Sequence, residues 1–172
     1  KDFWAMSSLE NEDINQTINT QPLMLTAGVA TWRYLQENNL DSPSFIAGHS
    51  LGEFTALVAA NSLTFESALK IVTKRAELMQ NAVPNNEGGM AAIIGLDDEK
   101  VIDICKQEQG DGILQAVNFN SPGQIVIAGS KNILEKSLEI FKNAGAKKTI
   151  LLPVSVPSHS KLMEPASILF KN

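Results

Sequence analysis

Apolar residues along this chain recur first with helical spacing, then in short runs, then in an alternation of the two, and the changes of period mark out its parts. Thr20, Gln21 and Pro22 open the first periodic segment, since threonine can cap a helix and proline fits its first turn. Leu23 to Leu35 is then apolar on most faces, which predicts a buried helix. The turn signal Asp41-Ser42-Pro43 precedes the apolar run Phe45-Ile46-Ala47, as expected of a strand over 44–48 buried in a parallel sheet. Leu51, Phe54, Leu57 and Val58 resume helical spacing over 51–60. Thr64 caps a further helix to about Ala82, where "PNNEGG" ends it.

From Gly89 the rhythm alternates. "MAAIIG" reads as a strand, Asp97 to Gln109 as a helix, "ILQAVNF" and "QIVIAG" as strands, Lys131 to Ala144 as a helix and "KKTILLPV" as a strand. The order is βαββαβ, the ferredoxin-like arrangement. Between the middle strands, Ser121-Pro122-Gly123-Gln124 supplies a hairpin turn, with proline preset at its second position and glycine free to take positive φ at its third.

Composition narrows the function classes. With 44% hydrophobic and 19% charged residues the chain falls among ordinary globular proteins, and no apolar stretch approaches the ~18 residues of a membrane span. A net charge of -5 argues against broad phosphate-backbone binding, so neither a nucleic acid nor a membrane is expected as partner. The single cysteine, Cys105, falls on an amphipathic helix and reads as a buried, inert thiol in a reducing compartment. With His49 and His159 the only histidines, no Cys/His zinc cluster can assemble, and no metal is expected. "KDFWAMSSLENEDINQT" has neither a signal-peptide apolar core nor a transit-peptide excess of arginine. A chain that opens on Lys1 and stops in the uncapped apolar pattern "SILFKN" reads as a piece of a longer protein.

Candidate chemistry centres on "AGHSLGEF", where Gly48, Ser50 and Gly52 make a G-x-S-x-G match. The pattern alone arises by chance in roughly one such chain in twenty. Its place between an expected strand and an expected helix makes it a nucleophile elbow, with the Ser50 hydroxyl lifted beside free helix N–H groups and the Leu51 N–H able to donate to an oxyanion. A serine nucleophile needs a base. His49, its sequence neighbour, should project away, which leaves His159 in "PVSVPSHSKLMEP", late in the chain as the base is in elbow hydrolases. Arg75 stands out as a guanidinium inside the apolar arc of Ala68, Leu69, Ile71, Val72, Ala76, Leu78 and Met79. It must meet an anion, either a structural carboxylate or the carboxylate of a substrate.

The segments "TQPLMLTAGVATW", "AGHSLGEFTALVAA", "KRAELMQNAVP", "GGMAAIIGL", "VNFNSPGQIVIAG" and "LPVSVPSHSKLMEP" together resemble the malonyl-CoA:acyl carrier protein transacylases of fatty acid synthesis, from about Thr20 to Pro165. The resemblance implies an α/β class fold, an α/β-hydrolase-like large domain into which a ferredoxin-like small domain is inserted. Residues 1–86 would then be large domain with the elbow, 87–154 the small domain, and 155–172 a return to the large domain with the catalytic histidine. It implies Ser50 as the acyl-accepting nucleophile, His159 as its base, Arg75 as the partner of the malonyl carboxylate, and Met79, Asn118 and Asn120 as further substrate-binding residues. Malonyl-CoA and the phosphopantetheine arm of acyl carrier protein would be the partners, with no cofactor, in a bacterial cytoplasm or an organelle matrix. Members begin with a strand and a Gly-Gln-Gly-Ser-Gln-like loop and end with a segment whose carbonyl orients the histidine; neither is found in this sequence, which reads as the middle of such an enzyme. Two other readings stay open at this point: a thioesterase or esterase using the same serine, and a noncatalytic carrier-protein or CoA-binding fragment.

Overall fold

A computed structural model describes residues 12–39, 41–84 and 86–171. The chain divides into two compact units, Lys1–Glu77 and Leu78–Asn172.

In the first unit a 3-10 turn, Glu12–Asn15, leads into three helices, α1 (Thr17–Glu37), α2 (Gly52–Ala59) and α3 (Phe65–Gln80), of which α3 runs past the end of the unit at Glu77. The first of them starts before the expected cap. The Gln16 carbonyl accepts from the N–H groups of Asn19 and Thr20 at 2.8 and 2.9 Å, so the first turn closes before Pro22 is reached. Pro22 therefore lies inside the helix, and Thr20, instead of capping, donates its hydroxyl to the carbonyls of Gln16 (3.0 Å) and Ile14.

Helix α1 also buries less than its composition suggests. Thr17, Gln21, Pro22, Leu25 and Val29 form one buried stripe, while Met24 and Tyr34 are 59% and 64% exposed. The stripe packs on one cluster, in which Leu25 and Val29 meet Leu51, Ala68 and Val72, with Phe54, Val58 and Leu63 at its edge. One contact face buries one stripe, whatever the other faces carry. Helix α3 is capped as expected, the Ser67 N–H donating to Thr64 Oγ1 at 3.2 Å.

The expected strand over 44–48 does not form. The segment has no ladder partner among the described residues, and Phe45 is 94% exposed. An apolar run supplies the side chains for a buried strand, but a strand exists only by pairing its backbone groups with a neighbour.

The second unit holds β1 (Gly88–Ile94), α4 (Asp98–Glu108), β2 (Leu114–Ser121), β3 (Gln124–Ser130), α5 (Lys131–Asn143), β4 (Lys148–Leu151), a 3-10 turn (Lys161–Met163) and α6 (Glu164–Phe170). Its first six elements follow the βαββαβ order read from the sequence. The strands form one antiparallel sheet in the order β2-β3-β1-β4. Side chains alternate across it. Ala91, Ile93, Leu114, Ile125 and Ile127 pack with Val101, Ile104 and Cys105 of α4 and Leu134 and Phe141 of α5, whereas Met90, Val126 and Ala128 form a second cluster with Val117 and Leu152.

Gly123 takes φ +70° in the hairpin turn that pairs Ser121 with Gln124. Strand β4 stops at Leu151, short of the expected Val154, and Pro153 could not have donated to a ladder in any case. Cys105 is 2% exposed, and burial pushes its thiol up to about 12, so it carries no thiolate at neutral pH. No described helix is long and apolar enough to cross a membrane.

Candidate active site

Ser50 sits just ahead of α2, with φ +54°, a left-handed conformation that a non-glycine residue adopts at a cost of about 1–3 kcal/mol. The surrounding backbone enforces it. The N–H groups of Gly52, Glu53 and Phe54 donate to the carbonyls of His49, Ser50 and Leu51 at 2.9, 3.2 and 3.1 Å, so the chain winds into the helix directly at the serine. Gly48 is required for this approach: a Cβ there would lie 2.0 and 2.1 Å from the carbonyl carbon and oxygen of Gly52 and 2.3 Å from the Glu53 nitrogen. Gly52, the other glycine of the motif, has no such constraint among the described residues, since a Cβ there meets nothing within 4 Å.

The turn sorts three neighbours. His49 is exposed, Ser50 half-buried, and Leu51 is buried in the cluster beneath. Its backbone N–H precedes the first donors used by the turn, at the helix end where anionic charge is favoured.

Arg75 reaches this serine from α3. Its Nη2 donates to Ser50 Oγ at 3.3 Å, and its Nη1 donates to Gln21 Oε1. Gln21 is itself 6% exposed and passes its amide N–H to Thr17 Oγ1 at 2.7 Å. A line of hydrogen bonds thus runs from α1 through the guanidinium to the hydroxyl. Among the described residues no carboxylate lies within 4.0 Å of Arg75. Burial lowers its pKa from the ordinary arginine value and the charge of Glu53 raises it, but a guanidinium keeps its proton throughout the working range. The structural salt bridge that Arg75 could have made is therefore absent among these residues.

Gln21 was not singled out from the sequence. The signal was present: Thr17 and Gln21 are polar residues at the four-residue spacing of Leu25 and Val29, inside the buried stripe, just as Arg75 interrupts the apolar arc of α3.

The remaining candidates belong to the second unit. His159 is exposed and takes φ +66° in the turn before Lys161–Met163. Met79 is 7% exposed and packs with Val156, Met163 and Ala166. Asn118 is half-buried on β2 opposite Val126, and Asn120 is exposed at a register shift between Phe119 and Ser121. Such a shift re-aims side chains along a strand.

A family model described as the acyl transferase domain matches residues 5–169. The chain belongs to this family. As an acyl transferase domain it is 48% identical over 167 residues to the malonyl CoA-acyl carrier protein transacylase of Salmonella typhimurium, a match covering 96% of this chain and 54% of that protein. Among solved structures it superposes on the acyl-carrier-protein S-malonyltransferase of Burkholderia pseudomallei with a TM-score of 0.90 at 49% identity, covering 98% of this chain and 55% of that one. It also matches a malonyl-transacylase solved in complex with its type II PKS acyl-carrier protein, with a TM-score of 0.92 at 48% identity and coverage of 98% and 55%. The chain spans about half the length of the curated relatives it matches.

Proposed function

We propose that this acyl transferase domain is the central part of an enzyme that moves a malonyl group from coenzyme A to the phosphopantetheine thiol of acyl carrier protein through an ester on Ser50. One observation carries the reading: the cation beside the elbow serine. Arg75 stands 3.3 Å from Ser50 Oγ and has no carboxylate of the described protein within salt-bridge reach. A nucleophile for neutral esters has no need of such a group, whereas an acyl chain ending in a carboxylate can pair with the guanidinium while its thioester carbonyl lies at the serine.

The chemistry then has two halves. His159 takes the proton of Ser50 as the oxygen attacks the thioester carbonyl, the Leu51 N–H donates to the developing oxyanion, and coenzyme A leaves as its thiol with that proton. The carrier-protein thiol next gives its proton to His159 and attacks the serine ester, the bond from the acyl carbon to Ser50 Oγ breaks as His159 passes that proton to the leaving serine oxygen, and the carrier protein departs with the malonyl group. Thioester becomes ester and then thioester again, so the exchange is nearly balanced. Support for His159 comes from the chain having only two imidazoles and from the resemblance of "VPSHSKLMEP"; Met79, Asn118 and Asn120 are proposed to line the acyl and pantetheine path on the same resemblance. The proposal includes an α/β-hydrolase-like large domain made from residues 1–86 and 155–172, a ferredoxin-like insertion over 87–154, and a cytoplasmic location.

Intact-mass analysis of the full-length protein mixed with malonyl-CoA tests the reading. One malonyl group should appear, map to Ser50, be lost in Ser50→Ala, and move to holo carrier protein on its addition. Malonyl on another residue, or free malonate formed faster than malonyl carrier protein, would overturn it.

A further inference from the structure

His159 is the least ordinary residue of its turn. It is exposed, yet its backbone takes φ +66°, a left-handed conformation that an L-residue with a Cβ avoids unless its neighbours enforce it. The neighbours here are buried and fastened. Val156 and Ser160 are 2% and 5% exposed, and Pro157 is among the largest fully buried side chains. The Ser160 hydroxyl donates to the Pro157 carbonyl at 2.7 Å, closing a ring around Ser158 and His159, while the Ser160 N–H reaches the same oxygen only at 3.4 Å. The hydroxyl, not the amide, makes the short bond.

Both ends of the ring are fixed in turn. The Ser158 N–H donates to the Val156 carbonyl at 3.0 Å on one side. On the other, the Ser160 carbonyl accepts from the Met163 N–H at 2.9 Å, and the Lys161 N–H donates to Gln115 Oε1 of β2 at 2.7 Å. The Pro157 ring rests on the start of β1, where a Cβ added to Gly88 would lie 2.5 Å from its Cγ and 2.6 Å from its Cδ. A sheet on one side and a hydroxyl on the other thus hold the single exposed residue between them.

We propose that Ser160 is a positioning residue for His159: its hydroxyl locks the Pro157–Ser160 turn and so fixes the direction in which His159 leaves the backbone. Gly88 serves the same end by leaving room for the Pro157 ring. The proposal rests on the reading of His159 as the base for Ser50. Without the Ser160 hydroxyl the turn loses its short closing bond, 2.7 Å against 3.4 Å for the amide, and relaxation of His159 to negative φ would swing its Cβ away from its present direction.

The test is a double-mutant cycle on single-turnover acylation by malonyl-CoA in the full-length protein. Ser160→Ala should slow acylation about 10- to 100-fold, the scale of a displaced catalytic group, with the KM for malonyl-CoA little changed. In a His159→Ala background the same substitution should have no further effect, because a positioning residue acts only through what it positions. Gly88→Ala, which pushes on Pro157 from β1, should give the same rate loss and the same silence, and it tests the idea independently should Ser160→Ala fold poorly. Equal fractional losses with and without His159 would make Ser160 a residue of general stability and overturn the proposal, as would a Ser160→Ala enzyme that acylates at the wild-type rate. A His159→Ala enzyme that acylates normally would instead overturn the assignment of the base, and the proposal with it.

Discussion

A guanidinium half-buried beside a hydroxyl has to be held in place, and in this chain an amide holds it. Arg75 offers five N–H donors, of which Gln21 takes one on Nη1 and Ser50 one on Nη2, leaving others for a ligand oxygen. The arrangement separates two roles that a salt bridge would have merged, since Gln21 orients the cation without neutralising it. On the proposed function, Arg75→Ala in the full-length protein should therefore cost malonyl transfer about 1.5–3 kcal/mol in kcat/KM while acetyl transfer, with no distal carboxylate to pair, loses little. Gln21→Leu should show the same selectivity pattern at smaller size, because the charge remains but is no longer aimed. Measuring kcat/KM for malonyl- and acetyl-CoA with both variants decides it, and equal losses for the two acyl groups would assign Arg75 to structure alone. Arg75 and Ser50 were legible in the sequence because each breaks a local pattern, a charge in an apolar arc and a serine at an expected turn. The partnership with Gln21 was not, because a pattern shows that a polar residue is out of place without showing which distant residue answers it.

At the scale of the element, the elbow is one device whose two glycines have different status. A Cβ at Gly48 would strike backbone atoms of Gly52 and Glu53, which have no rotamer by which to yield. A Cβ at Gly52 meets open space, and the residue is the first of α2. The substitutions should thus have opposite signs in the 172-residue chain. Gly48→Ala should destabilise it by about 3 kcal/mol, the upper part of the range for forced overpacking, whereas Gly52→Ala should stabilise it by about 0.4–1 kcal/mol through the unfolded state. Urea unfolding of both variants against the parent measures the difference, and a destabilising Gly52→Ala would show that its site is more crowded than these residues make it. The motif as a string gives both glycines equal weight; only the path of the chain after Ser50 separates them.

For the molecule as a whole, the βαββαβ order was readable because each strand finds its partners inside the same stretch, between Gly88 and Leu151, so local periodicity already contained what the sheet needed. Residues 44–48 carry an equally good strand pattern but have no ladder partner among the described residues, and pattern alone cannot supply one. The difference predicts a gradient of stability that hydrogen exchange can read. In the 172-residue chain the amides of Ile93, Ile125 and Ile127 lie in the ladder, with their side chains in the largest core cluster, and should exchange only through the most global opening. Those of Phe45, Ile46 and Ala47 should exchange at close to intrinsic rates, since their segment is exposed and Phe45 is 94% open to solvent. An exposed apolar run without a ladder partner among the described residues is also a template for pairing with another chain, so their protection should rise with protein concentration while that of the sheet does not. Exchange measured across a dilution series separates the outcomes: protection of 44–48 equal to that of β3 and independent of concentration would mean that this segment already has a partner strand within the same chain.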